Sequence, residues 1–189
     1  MSGAAYCFFD TAIGRCAILW RGGAAIGAAL PEDDQTQAQA LLLQRFPGAA
    51  PGTPPADIAL VVEAVIRLLN GEAEDFTRFA IDLGEVPQFD RRVLEATFTI
   101  PAGETRTYGE IARMIGAPGA SRAVGRALGA NPIPIIVPCH RVLAANGRSG
   151  GFSAPGGAST KLRLLNIEGA RRGREAELFD CLSWQARPR

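Results

Sequence analysis

Residues 131–142 read Asn131-Pro132-Ile133-Pro134-Ile135-Ile136-Val137-Pro138-Cys139-His140-Arg141-Val142. The prolines at 132, 134 and 138 have no N–H to give a ladder, which excludes this apolar run from the centre of a sheet. It reads as a short buried strand or an extended run over Ile133–Val137, stiffened by its prolines and carrying one thiol at its end. Cys139 is followed by His140, the one histidine among 189 residues. A thiol attacks as the thiolate, which forms beside a base or in a positive field. Neighbours in an extended run point to opposite faces, so adjacency alone does not put the imidazole on the sulfur. A rigid track does suit a nucleophile that must meet its target in line.

Upstream of the track the chain reads helical. Asp90–Thr97 forms a helix that must end before Pro101. Thr107, followed three residues later by Glu110, has the capping-box spacing, and the helix it starts runs to about Ile115. Ala117-Pro118-Gly119 breaks the pattern. Ser121–Leu128 is a second short helix, stopped by Gly129 and Asn131-Pro132. Two short helices across a glycine turn give a helix-turn-helix outline, which a helical hairpin in a core would share. Downstream, Gly147–Gly157 reads as a mobile loop. Ser159 or Thr160 caps a last helix through Ile167, ended by Gly169.

The first part reads differently. Tyr6–Phe9, Cys16–Trp20 and Ala24–Leu30 are short strands separated by turn residues, so a small antiparallel sheet is expected. Asp34–Phe46 has helical spacing that stops at Pro47. Pro47–Pro55 is a loop by composition. Ile58–Leu69 is a helix, and Ala80–Leu83 reads as one more strand. The expected class is therefore α/β (α+β): a sheet-plus-helix domain over 1–84, a mostly helical unit over 88–170 with the helix-turn-helix, and an extension over 171–189.

Composition is that of an ordinary globular chain, 47% apolar and 21% charged. No stretch approaches 18 uninterrupted apolar residues, so no membrane partner is expected. The start lacks a basic region before an apolar run, and the four cysteines are too scattered for a disulfide framework, which together point to the cytoplasm. The net charge of +1 hides a split: residues 1–90 carry five Arg against twelve Asp/Glu, residues 91–189 fourteen Arg and one Lys against seven. The basic half suits an anionic partner; attraction between the two halves is the other reading. Cys7 and Cys16 with no histidine beside them do not support a four-ligand metal site, so no metal is expected.

Pro138-Cys139-His140-Arg141-Val142 after Asn131-Pro132 resembles the active-site signature of the O6-alkylguanine-DNA alkyltransferases, also called methylated-DNA–protein-cysteine methyltransferases. Thr107-Tyr108 and Arg122-Ala123-Val124-Gly125 resemble that family's helix-turn-helix, and Leu164-Leu165-Asn166-Ile167-Glu168-Gly169 its closing helix. The likeness covers roughly residues 88–170. The first 80 residues match in layout only, with Asp10–Gly14 similar to the family's first hairpin.

The resemblance implies a DNA repair protein that moves the alkyl group of O6-alkylguanine in double-stranded DNA irreversibly onto Cys139, once per molecule, with the base flipped into the site. It implies that no cofactor is needed, that the protein is nonetheless classed as an enzyme, and that one copy of the chain binds the DNA minor groove. Cys139 would be the acceptor, His140 a base acting through a water, and Glu168 the carboxylate that orients it, while Asn131 ties the turn together. From the residues alone, Glu168 also fits a solvated helix end and Asn131 a plain helix stop.

By the same resemblance, Tyr108 pushes on the phosphate that rotates and donates to guanine N3 as charge develops on the leaving base. Arg122 fills the gap left by the flipped base, whose unstacking costs a few kcal/mol. Ser121, Ala123 and Gly125 complete the DNA-facing helix, its small residues allowing close approach to a minor groove that carries little sequence information. Pro134 walls the pocket, the carbonyls of Cys139 and Val142 accept the exocyclic amine, Phe152 closes the pocket, and the Ser153 N–H binds O6. The family commonly has Tyr where Phe152 stands, and the loop Ser153–Gly157 is about two residues longer than its commoner pattern. Three other readings fit the residues less well. A non-catalytic alkyltransferase-like protein usually has Trp at the Cys139 position, a methylation-triggered regulator needs a further cysteine-rich metal domain, and a thiol hydrolase using Cys139, His140 and Glu168 has no use for the basic half.

Overall fold

The structure is a computed structural model of the chain that describes residues 3–32, 34–145, 152–153 and 155–170. Most of the expected loop Gly147–Gly157 and the whole extension 171–189 lie outside the described residues.

The first strands form as expected: β1 (Ala5–Thr11), β2 (Gly14–Arg21) and β3 (Ala24–Ala29), each antiparallel to the next. Gly14 and Gly22 turn the chain at φ 127° and 59°, conformations that side chains disfavour. The run Cys16–Trp20 lacks in-out alternation because β2 is covered on both faces. Cys16, Ile18 and Trp20 join one apolar cluster, whereas Leu19 and Ala17 join a second with Tyr6, Ile26 and Leu42. Helix α1 (Gln35–Arg45) starts where Asp34 accepts a hydrogen bond from the Thr36 N–H at 2.7 Å.

Two expectations about this part need correction. The loop Pro47–Pro55 contains a short strand, β4 (Ala50–Pro51), parallel to β1. Pro51 is tolerated because β4 is the sheet's edge, in the order β3-β2-β1-β4, and the ladder bonds come from the Ala50 and Gly52 N–H groups. Conversely, Ala80–Leu83 is no strand. It makes one bridge, Ala25 to Ile81, between a turn at Phe76–Arg78 and an Asp82 side chain that accepts from the Gly84 N–H.

Helix α2 (Ala56–Leu69) packs on the sheet, and α3 (Gln88–Phe98) opens the helical part. β5 (Arg106–Thr107) leads into α4 (Tyr108–Met114), and the capping box at its start is complete: the Thr107 N–H donates to Glu110 Oε2 at 2.6 Å, and the Glu110 N–H donates to Thr107 Oγ1 at 3.2 Å. α5 (Ser121–Gly129) follows, then β6 (Val142–Leu143), which pairs in parallel with β5. That pairing brings Tyr108, the residue after β5, towards Cys139, three residues before β6.

The last helix, α6 (Gly157–Ile167), starts ahead of the expected caps. Gly156 takes the turn at φ 76°, and the Ser159 and Thr160 hydroxyls donate to the carbonyls of Gly156 and Pro155 instead of accepting from free N–H groups. One apolar cluster runs from Trp20 and Ile58 through Leu94 and Ile111 to Val142 and Leu164. Two polar ties join the sheet part to the residues before Cys139: the Ala28 N–H donates to the Pro132 carbonyl at 2.9 Å, and Arg45 on α1 donates to the Ala130 carbonyl at 2.5 Å. No helix among the described residues is long and apolar enough to cross a membrane.

Candidate active site

The proline-rich track does not run extended to the thiol. The Val137 N–H turns back to the Ile133 carbonyl at 2.8 Å, and Ile135 sits at φ 74°. A β-branched residue there costs roughly 1–3 kcal/mol. Burial of Ile133, Ile135, Ile136 and Val137, none more than 2% exposed, opposes that cost. Asn131 clamps the turn from inside, with Nδ2 donating to the Val137 carbonyl at 2.9 Å and Oδ1 accepting from the Ile133 N–H at 3.0 Å. Cys139–Arg141 is then a single 3-10 turn. Cys139 and His140 are therefore not on opposite faces of an extended run, and both are buried.

His140 Nε2 stands 2.8 Å from Glu168 Oε1. A carboxylate can only accept, so Nε2 carries the hydrogen and Nδ1 keeps the lone pair. Nδ1 is buried and has no hydrogen-bond partner among the described residues. Glu168, the last residue of α6's cap, also takes Arg141 Nε at 2.9 Å and Nη2 at 2.8 Å, while Arg141 Nη1 donates to the Ile100 carbonyl. Burial opposes ionisation of Glu168, but the bonds from His140 and Arg141 outweigh it and hold the carboxyl at about 2. The same burial pushes the imidazole below its ordinary value, against the pull of Glu168, so His140 is neutral and basic at Nδ1.

Burial pushes the Cys139 thiol up, and a hydrogen bond from Asn131 and the charge of Lys161 pull in the opposite direction. Lys161 on α6 is fully buried, donates to the Val142 carbonyl at 2.6 Å, and lies 5.7 Å from the centre of the Tyr108 ring. Burial, and then the charge at Cys139, raise the Tyr108 hydroxyl, which keeps it a hydrogen-bond donor.

A hollow of about 650 Å³ opens beside α4 and α5 and ends at the thiol. Tyr108, Ser121, Arg122, Gly125, Phe152 and Ser153 line it together with Cys139. Arg122 and Arg126, one turn apart on α5, are exposed on this side, while Val124, Ala127 and Leu128 face the core. Ala123 lies half-buried on the same helix, away from the hollow's lining. Pro134 lines a second cavity that also reaches Cys139, between the helical part and α1. Most of the residues singled out from the sequence thus line a cavity that reaches the thiol or bond within the network around it, whereas Ala123 and Val142 line neither cavity.

Sequence reasoning missed three residues here. Lys161 had a visible signal, being the one lysine in a chain with 19 arginines. Arg126 follows from Arg122 by helical spacing. Arg141 had none, since nothing local predicts that a guanidinium beside a histidine will share its carboxylate. Among the described residues, no cluster of three or more His, Cys, Asp or Glu side chains is arranged to hold a metal.

Comparison with known proteins agrees with this geometry. Residues 88–170 match the family described as 6-O-methylguanine DNA methyltransferase, DNA binding domain. The methylated-DNA–protein-cysteine methyltransferase of Mycobacterium bovis is 51% identical over 118 residues, which cover 62% of this chain and 70% of the relative. The crystal structure of Mycobacterium tuberculosis OGT in complex with DNA superimposes with a TM-score of 0.70 at 38% identity, covering 87% of this chain and 92% of that one. The O6-methylguanine-DNA methyltransferase of Pyrococcus kodakaraensis gives a TM-score of 0.63 at 28% identity over 88% of this chain and 99% of that one.

Proposed function

The chain belongs to the 6-O-methylguanine DNA methyltransferase family, and we propose that its alkyl acceptor is Cys139. The protein is an enzyme of DNA repair that transfers the alkyl group of O6-alkylguanine in double-stranded DNA to a cysteine of its own. The observation that carries the assignment to Cys139 is that this thiol ends the hollow that Tyr108 and Arg122 line.

In this reading the His140 Nδ1 lone pair draws the thiol proton through a water, and Lys161 and Asn131 favour the thiolate that forms. Glu168 holds the imidazole in the tautomer that leaves Nδ1 basic and stabilises the charge it gains. The sulfur then attacks the alkyl carbon opposite guanine O6. The S–C bond forms as the C–O6 bond breaks, the electron pair leaves on O6, and a proton reaches the guanine ring, with Tyr108 donating at N3. The thioether has no leaving group to restore the thiol, so each molecule acts once.

Arg122 occupies the stack vacated by the flipped base, with Ser121, Ala123 and Gly125 along the minor groove. Phe152 and the Ser153 N–H hold the base and Pro134 walls the pocket beside it, with the Val142 carbonyl on the base's exocyclic amine. Residues 88–170 carry the DNA-binding and transfer functions, residues 1–84 form a supporting unit, and the reaction belongs to the reducing cytoplasm, where the thiol stays free.

The test is stoichiometry. Single-turnover repair of a duplex with one O6-methylguanine should stop when repaired lesions equal protein molecules, and Cys139→Ala should repair none. Repair beyond one lesion per molecule would refute the assignment.

A further inference from the structure

Among the described residues, Cys139 lines two cavities. The hollow beside α5 is the side from which DNA presents the base. The second, of about 210 Å³, shares Leu128, Gly129, Phe152 and Ser153 with the first and is otherwise lined largely by residues 28–46 of the sheet part of the chain. Leu30 before α1, Ala38, Leu41 and Leu42 on α1, and Phe46 after it line this cavity opposite Pro134 and Cys139.

An in-line displacement places the reacting carbon between Sγ and O6, so the remainder of a longer alkyl group must leave that axis sideways. The base occupies the α5 side. The chamber against α1 lies beside that axis, and most of the α1 wall is apolar, with Glu32 and Arg45 its charged members. An apolar cavity of about 150 Å³ holds benzene, so this one has room for a short alkyl chain or a benzyl group. Its one wall cation, Arg45, is tied to the Ala130 carbonyl at 2.5 Å, which fixes α1 against the end of α5.

We propose that α1 forms a subsite for the distal carbons of O6-alkyl groups larger than methyl, making Ala38 and Leu41 specificity-determining residues outside the DNA-binding part. This rests on the reading of Cys139 as acceptor. Burying each methylene of such a group against α1 speeds transfer, and a methyl group does not reach the wall. Leu41 is 45% exposed at the cavity's mouth, and Ala38 is buried with only its methyl directed there, so both positions can be enlarged.

The experiment compares single-turnover transfer from duplexes containing O6-methylguanine, O6-butylguanine or O6-benzylguanine, using the full chain, Ala38→Phe and Leu41→Trp. A thermal melt of each variant confirms that it is folded. The expected result is methyl transfer within about twofold of the parent and butyl and benzyl transfer slowed about tenfold or more, the size of a one-to-two-methylene discrimination. Leu41→Trp, at an exposed position, decides the matter if Ala38→Phe does not fold. Folded variants that slow all three substrates equally, or none, overturn the subsite. A parent chain that transfers no methyl group refutes the acceptor assignment itself, an outcome distinct from loss of the subsite alone.

Discussion

His140 Nε2 and Glu168 Oε1 lie 2.8 Å apart, 28 residues apart in sequence, with side chains 0% and 1% exposed. The contact joins the 3-10 turn that bears the thiol to the end of the last helix, and Arg141 shares the same carboxylate. Glu168 thus serves two neighbours at once, one through its tautomer and one through its charge.

Replacing Glu168 by Gln should therefore have two effects. Removing the carboxylate leaves the buried Arg141 charge uncompensated and should cost about 3–5 kcal/mol of stability in urea unfolding. It also releases His140 from its tautomer, so transfer should slow by about a hundredfold or more. A variant that transfers at the parent rate would place the base elsewhere.

Stability should fall with acid. Glu168 is held at about 2 when folded and returns to the ordinary carboxylate range when unfolded, so the unfolded chain binds the extra proton between those values. Its contribution is present above the unfolded value and is lost as pH falls towards 2. His140, held below its ordinary value when folded, acts in the same direction at higher pH, because the unfolded chain protonates first. The raised Cys139 thiol acts oppositely: its contribution is present in neutral solution and is lost as pH rises past the unfolded thiol's value. Denaturant midpoints measured across pH should show both flanks, and Cys139→Ala should shrink the alkaline flank, which the raised Cys7, Cys16 and Tyr108 also feed, while leaving the acid one.

Lys161→Met should raise the pH at which Cys139 reacts. Its charge is among the influences that lower the thiol's pKa, and burial alone pushes the other way. The pH profile of thiol alkylation by a small reagent reads this directly. A profile that keeps its midpoint would remove Lys161 from the activation of the thiol.

Much of this site was legible before the structure. The capping box at Thr107 and Glu110 and the helix break at Pro118-Gly119 are local chemistry, and local chemistry reads well from sequence. The Cys139 track was legible as rigid but not in its shape. Ile135 at a positive φ is imposed by packing and by the Asn131 clamp, which no propensity contains. β4 was hidden because prolines usually end strands, and only its edge position makes Pro51 acceptable. The burial of Glu168 depends on Arg141 and His140 arriving together, a tertiary event. The α1 wall of the second cavity had no sequence signal, since Ala38 and Leu41 read as an ordinary amphipathic helix.

Arg122 and Arg126 should separate by assay. Arg126→Ala should lower the slope of log affinity against log salt by about 1, as for one lost phosphate contact, without changing repair at saturating DNA. Arg122→Ala should slow repair within duplex DNA far more than transfer from free O6-benzylguanine, which needs no flipping. Equal losses on both substrates would assign Arg122 to the pocket instead of the stack.

The most direct test of the central claim is peptide-mapping mass spectrometry after incubation with a duplex holding one O6-methylguanine. The expected result is one methyl group per molecule, on the peptide containing Cys139, with Cys7, Cys16 and Cys181 unmodified. A methyl group on another residue, or unmodified protein that still holds the lesion duplex, would contradict the account.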